Sequence, residues 1–164
     1  MLLASDTFYM EPVRQEDLDA VLAVYQSNKA FLMHHMGREF VTRAWLESEL
    51  AAMAAAGFYS CKIAEHGALD ITGIADFKIA EETYLSLLML HGDRQGLGLG
   101  KQIYQAIEDY AKQHRSTSIR IDVVTGYEKD VFRFWRSRGF SDVQEVTLNW
   151  AGKSLRAMAM KKAL

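Results

Sequence analysis

The stretch Gln95-Gly96-Leu97-Gly98-Leu99-Gly100-Lys101 constrains this chain more than any other, because an apolar strand pattern precedes it and an amphipathic helix pattern follows. Closely spaced glycines permit a sharp turn and close backbone approach. A helix that opens there leaves its first N–H groups unpaired and pointing outward. Such a cradle suits an anion, above all a phosphate or pyrophosphate.

The surrounding sequence supplies one domain's worth of structure over residues 1–164. Hydrophobic residues make up 49% of the chain, enough for a substantial core. No repeat, low-complexity tract or linker divides it. A formal charge of −2 gives no basic footprint for nucleic acid and mildly favours a cationic substrate. Cys61 is the sole cysteine, which excludes an internal disulfide, suits a reducing compartment and reads as a small buried hydrophobe. The N-terminal Met1–Asp6 has no signal-peptide pattern and no window reaches a membrane span, so the expected location is cytoplasmic, without a membrane partner.

Along the chain, Phe8–Val13 reads as a short edge strand holding the only proline, Pro12. Leu18, Val21, Leu22, Val24 and Tyr25 then mark a helix after Asp17. A loop with His34, His35 and Gly37 leads to a helix over 42–56, capped by Thr42, with Trp45, Leu46, Leu50 and Met53 inward and Gly57 as its stop. Strands at 58–64, 71–79 and 84–90 form an expected antiparallel meander, the first two joined by a turn at Glu65–Ala68. After the glycine loop, Ile103, Tyr104, Ile107, Tyr110 and Ala111 give one helical face ending near His114. A strand at 118–124, a helix at 128–138 stopped by Gly139, and a hairpin of 140–150 with 154–161 around Ala151-Gly152-Lys153 complete the pattern. The order predicts an α/β fold: a mixed, mostly antiparallel sheet with helices on both faces and a strand-crossover-strand unit through the glycine loop.

Two other glycine-loop chemistries fit poorly. A dinucleotide fold places its loop in the first strand–helix turn of an alternating parallel sheet, with an acidic residue about twenty positions later. Here several antiparallel-looking strands come first. A phosphate-loop NTPase needs Ser or Thr after the lysine, and Gln102 follows Lys101.

The run Leu88-Met89-Leu90-His91-Gly92-Asp93-Arg94-Gln95-Gly96-Leu97-Gly98-Leu99-Gly100 resembles the acetyl-CoA-binding motif Gln/Arg-x-x-Gly-x-Gly/Ala of the GCN5-related N-acetyltransferases, with Gln95, Gly98 and Gly100 at its fixed positions. Phe134-Trp135-Arg136-Ser137-Arg138-Gly139-Phe140 is similar to that family's second cofactor segment, which ends in Gly-Phe. The element order agrees over nearly the whole chain. From the resemblance follow a GCN5-related (GNAT-like) fold and transfer of an acetyl group from acetyl-CoA to a primary amine by direct attack in a ternary complex. No metal is implied.

The resemblance also distributes roles. Backbone N–H groups of Gln95, Gly96, Leu97, Gly98, Leu99, Gly100 and Lys101 would hold the CoA pyrophosphate, with side-chain identity mattering little. Gly98 and Gly100 would be needed because a side chain would collide with the ligand or the turn. Leu88, Met89 and Leu90 would lie on the strand that receives pantetheine, and the Leu90 N–H is the candidate oxyanion donor. Glu82 is the candidate general base, with Glu81, Asp76 and Asp122 as rivals, since an amine of pKa about 10.4 must lose a proton before it attacks.

Trp135 stands where many members carry a tyrosine acid; an indole donates a hydrogen bond but does not titrate usefully, so Trp135 is expected to pack against core or cofactor. Tyr127 and Tyr104 are the remaining candidate donors, and Glu128 replaces an asparagine common in the family. Phe31, His34 and His35, with Met33 and Met36, are candidates for the acceptor pocket; the adjacent histidines do not make a metal site. A small-molecule or peptide amine is the expected partner, whether small amine, polyamine, amino acid derivative or protein terminus, and a homodimer is the expected assembly. The competing expectation, prompted by Trp135, is an acyl-CoA-binding sensor or interaction module with little catalytic power.

Overall fold

The computed structural model describes residues 1–127 and 129–164. Among them an eight-stranded sheet runs β1-β2-β3-β4-β5-β6-β8-β7. Its strands are β1 (Leu3–Ala4), β2 (Phe8–Pro12), β3 (Tyr59–Glu65), β4 (Gly73–Lys78), β5 (Glu82–Leu90), β6 (Ser118–Val124), β7 (Ser141–Trp150) and β8 (Lys153–Ala163). Every neighbouring pair is antiparallel except β5 with β6, which is parallel. The expected meander is β3–β4–β5, and the crossover through the glycine loop joins β5 to β6.

Helices cover both faces. On one side α4 (Leu99–Gln113) and α5 (Lys129–Ser137) pack Ile103, Tyr104, Ile107 and Trp135 against Phe8, Phe77, Ile119 and Met160. On the other, α1 (Leu18–Gln26), α2 (Lys29–Met36) and α3 (Arg43–Ala55) bury Val21, Val24, Leu32 and Leu46 against Ile74 and Met89. Fully burying one such aliphatic side chain contributes roughly 1.5–3 kcal/mol. Thr42 caps α3 through a hydrogen bond from the Trp45 N–H, as its position predicts.

The first core also encloses a charge. Glu108 is buried, yet it accepts hydrogen bonds from Tyr104, Lys112 and Lys162. Burial alone would push its carboxyl up; those bonds outweigh it and hold the pKa at about 2. This links α4 to the last strand of the sheet.

Two readings change. Residues 29–36, expected as a loop, form α2. Lys, Ala, Leu and Met favour a helix there even though its apolar residues spread around the axis and give no clean stripe. Gly37, at φ +72°, ends it in the left-handed conformation. β2 is not the sheet edge, because the two-residue β1 pairs beside it, too short to show as a periodic pattern. Helix α5 is described from Lys129 onward; Glu128, the expected helix start and the departure from the family's asparagine, lies outside the described residues. Among the described residues, no helix is long and apolar enough to cross a membrane.

Candidate active site

The site begins where the sheet comes apart. Parallel pairing of β5 with β6 is confined to Glu82–Ser118, Thr83–Ile119 and Tyr84–Arg120. Just beyond it β5 bulges, for Asp76 pairs with Leu87 while Phe77 pairs with Leu85, leaving Ser86 unpaired between them. A bulge bends its strand and adds twist, so the rest of β5 swings away from β6 and a wedge opens between them.

Backbone direction in the wedge follows from one bond. The His91 N–H donates to the Thr72 carbonyl at 2.8 Å, toward β4. Because backbone groups alternate sides along a strand, Met89 also faces β4, and Leu88 and Leu90 face the wedge. The Leu90 carbonyl confirms the direction by accepting from Asn28 Nδ2 at 3.0 Å and Gln95 Nε2 at 3.1 Å. The Leu88 N–H and carbonyl and the Leu90 N–H therefore form a strand edge that a peptide-like chain can join, as pantetheine does with its two amides.

Past Leu90 the chain makes a short turn at Gly92–Arg94 and enters the glycine loop. Gly96 and Gly98 hold φ of +75° and +81°, which a side-chain-bearing residue adopts only with strain. A Cβ on either would meet nothing within 4 Å, so the backbone lies bare on the groove side. Gly98 is the N-cap of α4. Gly100 has ordinary helical geometry, and its Cβ would come no closer than 3.8 Å to Leu90. Conformation accounts for Gly98; any need for Gly100 comes from the groove itself.

That groove has a volume of about 690 Å³ and is lined by Leu90, Gln95, Gly98, Phe134, Trp135 and Arg138 among others. Lys29 and Lys101 border it too. The Arg138 Nε is buried with no hydrogen-bond partner among the described residues. An unpaired guanidinium N–H beside a helix N-terminus and two lysines fits a phosphorylated ligand. Asn28, Lys29 and Arg138 were not singled out from the sequence: long-range side-chain contacts leave no local pattern, and Arg138 lay inside the similar Phe134–Phe140 segment without a role. Nor is Gln95 an interchangeable loop residue, since its amide braces the loop to β5.

A second cavity of about 330 Å³ lies on the other side of the wedge. The two share Phe31, Leu88, Tyr127, Val131 and Trp135, so they meet at the mouth of the strand edge. Phe31 and His35 form part of the second cavity's wall, stacked at 3.9 Å between ring centroids, with Trp150 edge-on to both. The His35 Nδ1–H donates to the Phe31 carbonyl at 2.9 Å. Burial lowers the His35 pKa to about 4, leaving a neutral ring at pH 7. His34 lies outside both linings; it contacts the Thr125 carbonyl and stacks on Tyr127 at 4.4 Å. Met33 is exposed and Met36 packs in the α1–α3 core.

The carboxylates sort by position. Asp76 lines the second cavity and is 8% exposed. Burial raises its pKa to about 6, with Glu49 adding to the rise and Ser60 opposing it from across β3. The Ser60 Oγ itself sits buried outside hydrogen-bonding geometry. Asp122 also lines the cavity, but Arg120 grips it through two bonds and the Tyr84 hydroxyl donates to it at 3.0 Å. Glu82 begins β5, ion-paired with Lys161 and outside both linings. Six residues of strand separate it from Leu88, about 20 Å. Glu81 is exposed beside it.

Trp135 packs into the core, as expected. It is buried edge-on to Tyr104 at 5.5 Å, and it lines both cavities. The Tyr104 hydroxyl is committed to Glu108 at 2.6 Å inside the core. Tyr127 instead stands where the cavities meet. No group of three or more His, Cys, Asp or Glu capable of holding a metal occurs among the described residues. Cys61 is buried on β3 and its thiol is pushed up to about 12, chiefly by burial, as an inert core residue requires.

The family model described as acetyltransferase (GNAT) family matches residues 6–140. An acetyltransferase from Thermus thermophilus shares 22% identity and superposes with a TM-score of 0.74, covering 96% of this chain and 97% of its own. Spermidine N-acetyltransferase from Vibrio cholerae, in complex with CoA and spermine, is 11% identical at TM-score 0.73 over 97% of this chain and 96% of its own. PaiA N-acetyltransferase from Thermoplasma acidophilum, in complex with coenzyme A, is 16% identical at TM-score 0.64 over 96% and 99%. At these identities the likeness is one of fold. No curated protein sequence matches the chain.

Proposed function

The chain belongs to the GNAT acetyltransferase family, and from that premise we propose that it moves the acetyl group of acetyl-CoA to a primary amine by direct attack in a ternary complex. The observation that carries this reading is the meeting of the two cavities at Leu88 and Tyr127. One cavity offers phosphate and pantetheine contacts, the other an acidic, aromatic-walled space for an acceptor.

Donor binding falls to the backbone of Gln95–Lys101, the Leu88 and Leu90 edge, and Arg138. Acetyl-CoA supplies an activated thioester. The N–H groups of Leu88 and Leu90 both point into the wedge, and either can hydrogen-bond the thioester oxygen as it gains charge; fixed donors of this kind are worth about 2.7–4 kcal/mol in transition-state stabilisation. The oxyanion role thus rests with this pair, of which Leu90 is one.

An ammonium must shed a proton before its nitrogen can attack the carbonyl carbon. Asp76 is the carboxylate placed for that task, beside Leu87 on the neighbouring strand and with a pKa raised toward neutrality. The new C–N bond forms and its nitrogen gives up a second proton to solvent as the C–S bond breaks; the thiolate takes a proton from the Tyr127 hydroxyl, which regains one from solvent. Tyr127 at the junction supports catalysis over the sensor reading that Trp135 prompted. Incubation with radiolabelled acetyl-CoA and a panel of amines and peptides tests the function: labelled amide is expected, and tight CoA binding without any amide product overturns it.

A further inference from the structure

The charge of the second cavity is unbalanced. Three carboxylates line it among the described residues, Glu49, Asp76 and Asp122, and no lysine or arginine does. Asp122 is compensated by Arg120. Neither Glu49 nor Asp76 has a cationic partner within salt-bridge distance among the described residues. Glu49 accepts a hydrogen bond from Trp150 Nε1 at 2.9 Å, which aims one carboxylate oxygen and leaves the other uncommitted. His35, the one histidine in the wall among the described residues, has its pKa lowered by burial and offsets nothing at pH 7.

Asp76 is buried and Glu49 half-buried, and leaving such carboxylates without a counter-charge is costly; a bound cation relieves that cost. They are not equivalent. Asp76 lies beside Leu87, next to the strand edge where the thioester would sit. Glu49 projects from α3 and is held by Trp150 at the end of β7, near enough for its charge to raise the Asp76 pKa. Phe31, His35 and Trp150 line the same cavity, aromatic faces that suit methylene groups and an ammonium.

We infer that the acceptor is a small aliphatic amine bearing a second positive charge, its reactive nitrogen at Asp76 and its far cation held by Glu49 against Trp150. This deepens the proposed acetyl transfer and rests on it for the reactive end, but the cation site is measurable without turnover. A cavity of about 330 Å³ walled by the β7–β8 hairpin accepts a molecule of that size.

The test is calorimetric titration of the CoA-saturated protein with 1,4-diaminobutane and with butylamine, a single cation of the same length. The diamine is expected to bind at least tenfold more tightly, and Glu49→Gln, which keeps an oxygen for Trp150, is expected to bring the two affinities together. Equal affinities in the wild type, no binding of the diamine, or a preference unchanged in Glu49→Gln overturns the inference. The wild-type comparison stands even if the variant does not fold. Steady-state acetylation of the same amines separates the two claims. Product from butylamine or peptides without a diamine preference removes the cation site and leaves the activity; Glu49-dependent diamine binding without product removes the activity and leaves the site.

Discussion

Gln95 Nε2 donates to Asn28 Oδ1 at 2.6 Å, and the two side-chain amides both donate to the Leu90 carbonyl. Asn28 also bonds the Val24 carbonyl at the end of α1. One polar knot therefore ties a helix, the wedge-forming strand and the glycine loop.

Gln95→Ala cuts that knot on the loop side while Asn28 still satisfies the Leu90 carbonyl. A net hydrogen bond is worth about 1 kcal/mol, so stability should fall by roughly that much or less. The loop's freedom is the larger loss, and CoA affinity should weaken about tenfold. Thermal melting and calorimetric CoA titration check both; unchanged affinity would remove the bracing role.

Gly98→Ala separates strain from ligand approach. A Cβ there meets no protein atom within 4 Å, so the unliganded protein bears only the cost of φ +81°, about 1–2 kcal/mol. Gly98 lines the groove, so a side chain there would crowd a phosphate held against its backbone. The expected result is a modest fall in melting temperature with a loss of CoA affinity beyond about thirtyfold. Equal free-energy losses in melting and binding would mean that the glycine serves the turn alone.

The central meander, the C-terminal hairpin, the helices on both faces and the glycine loop were legible because each is written in local periodicity and turn chemistry. The wedge was legible only through family resemblance, since a single serine, Ser86, in the otherwise apolar run Leu85–Leu90 marks neither the bulge nor the end of β5–β6 pairing. Candidate catalytic side chains were harder to rank: Glu82 stands just ahead of the cofactor strand, with Asp76 among its rivals and Tyr127 among the candidate donors, whereas the cavity brings Asp76, Tyr127 and Glu49, which the sequence does not mark, together from three distant segments. Nothing within a few residues of Glu49 distinguishes it from the other acids of an amphipathic helix; Trp150, a hundred residues on, does.

Tyr127→Phe removes the hydroxyl at the cavity junction and keeps the ring that stacks on His34. If the hydroxyl protonates the departing thiolate, kcat should drop about 10²-fold, in line with a single general acid, while the KM for acetyl-CoA stays within about threefold. Stopped-flow acetyl transfer at saturating donor gives the number. A thiolate that leaves without help would show as unchanged kcat.

Asp76→Asn should make the protein more stable and much less active. Its carboxyl pKa is raised from 3.8 to about 6, mainly by burial, so the fold favours the protonated form. That favourable contribution is fully present below pH about 4 and is lost as pH rises through 6. A rise of this size corresponds to up to about 3 kcal/mol. The variant should therefore match the wild type in denaturant stability at pH 4 and exceed it at pH 8. His35 acts in the same window with opposite sign, since its lowered pKa withdraws stability as pH falls from 6.5 toward 4, but it does so equally in both proteins and cancels in the difference. Activity supplies the other half: wild-type kcat/KM should climb with pH through about 6 as Asp76 ionises. The variant should lack that limb and run about 10²–10⁴-fold slower. A variant that is stabilised at pH 8 yet keeps the wild-type pH–rate limb would leave Asp76 a buried acid and move the base elsewhere in the cavity.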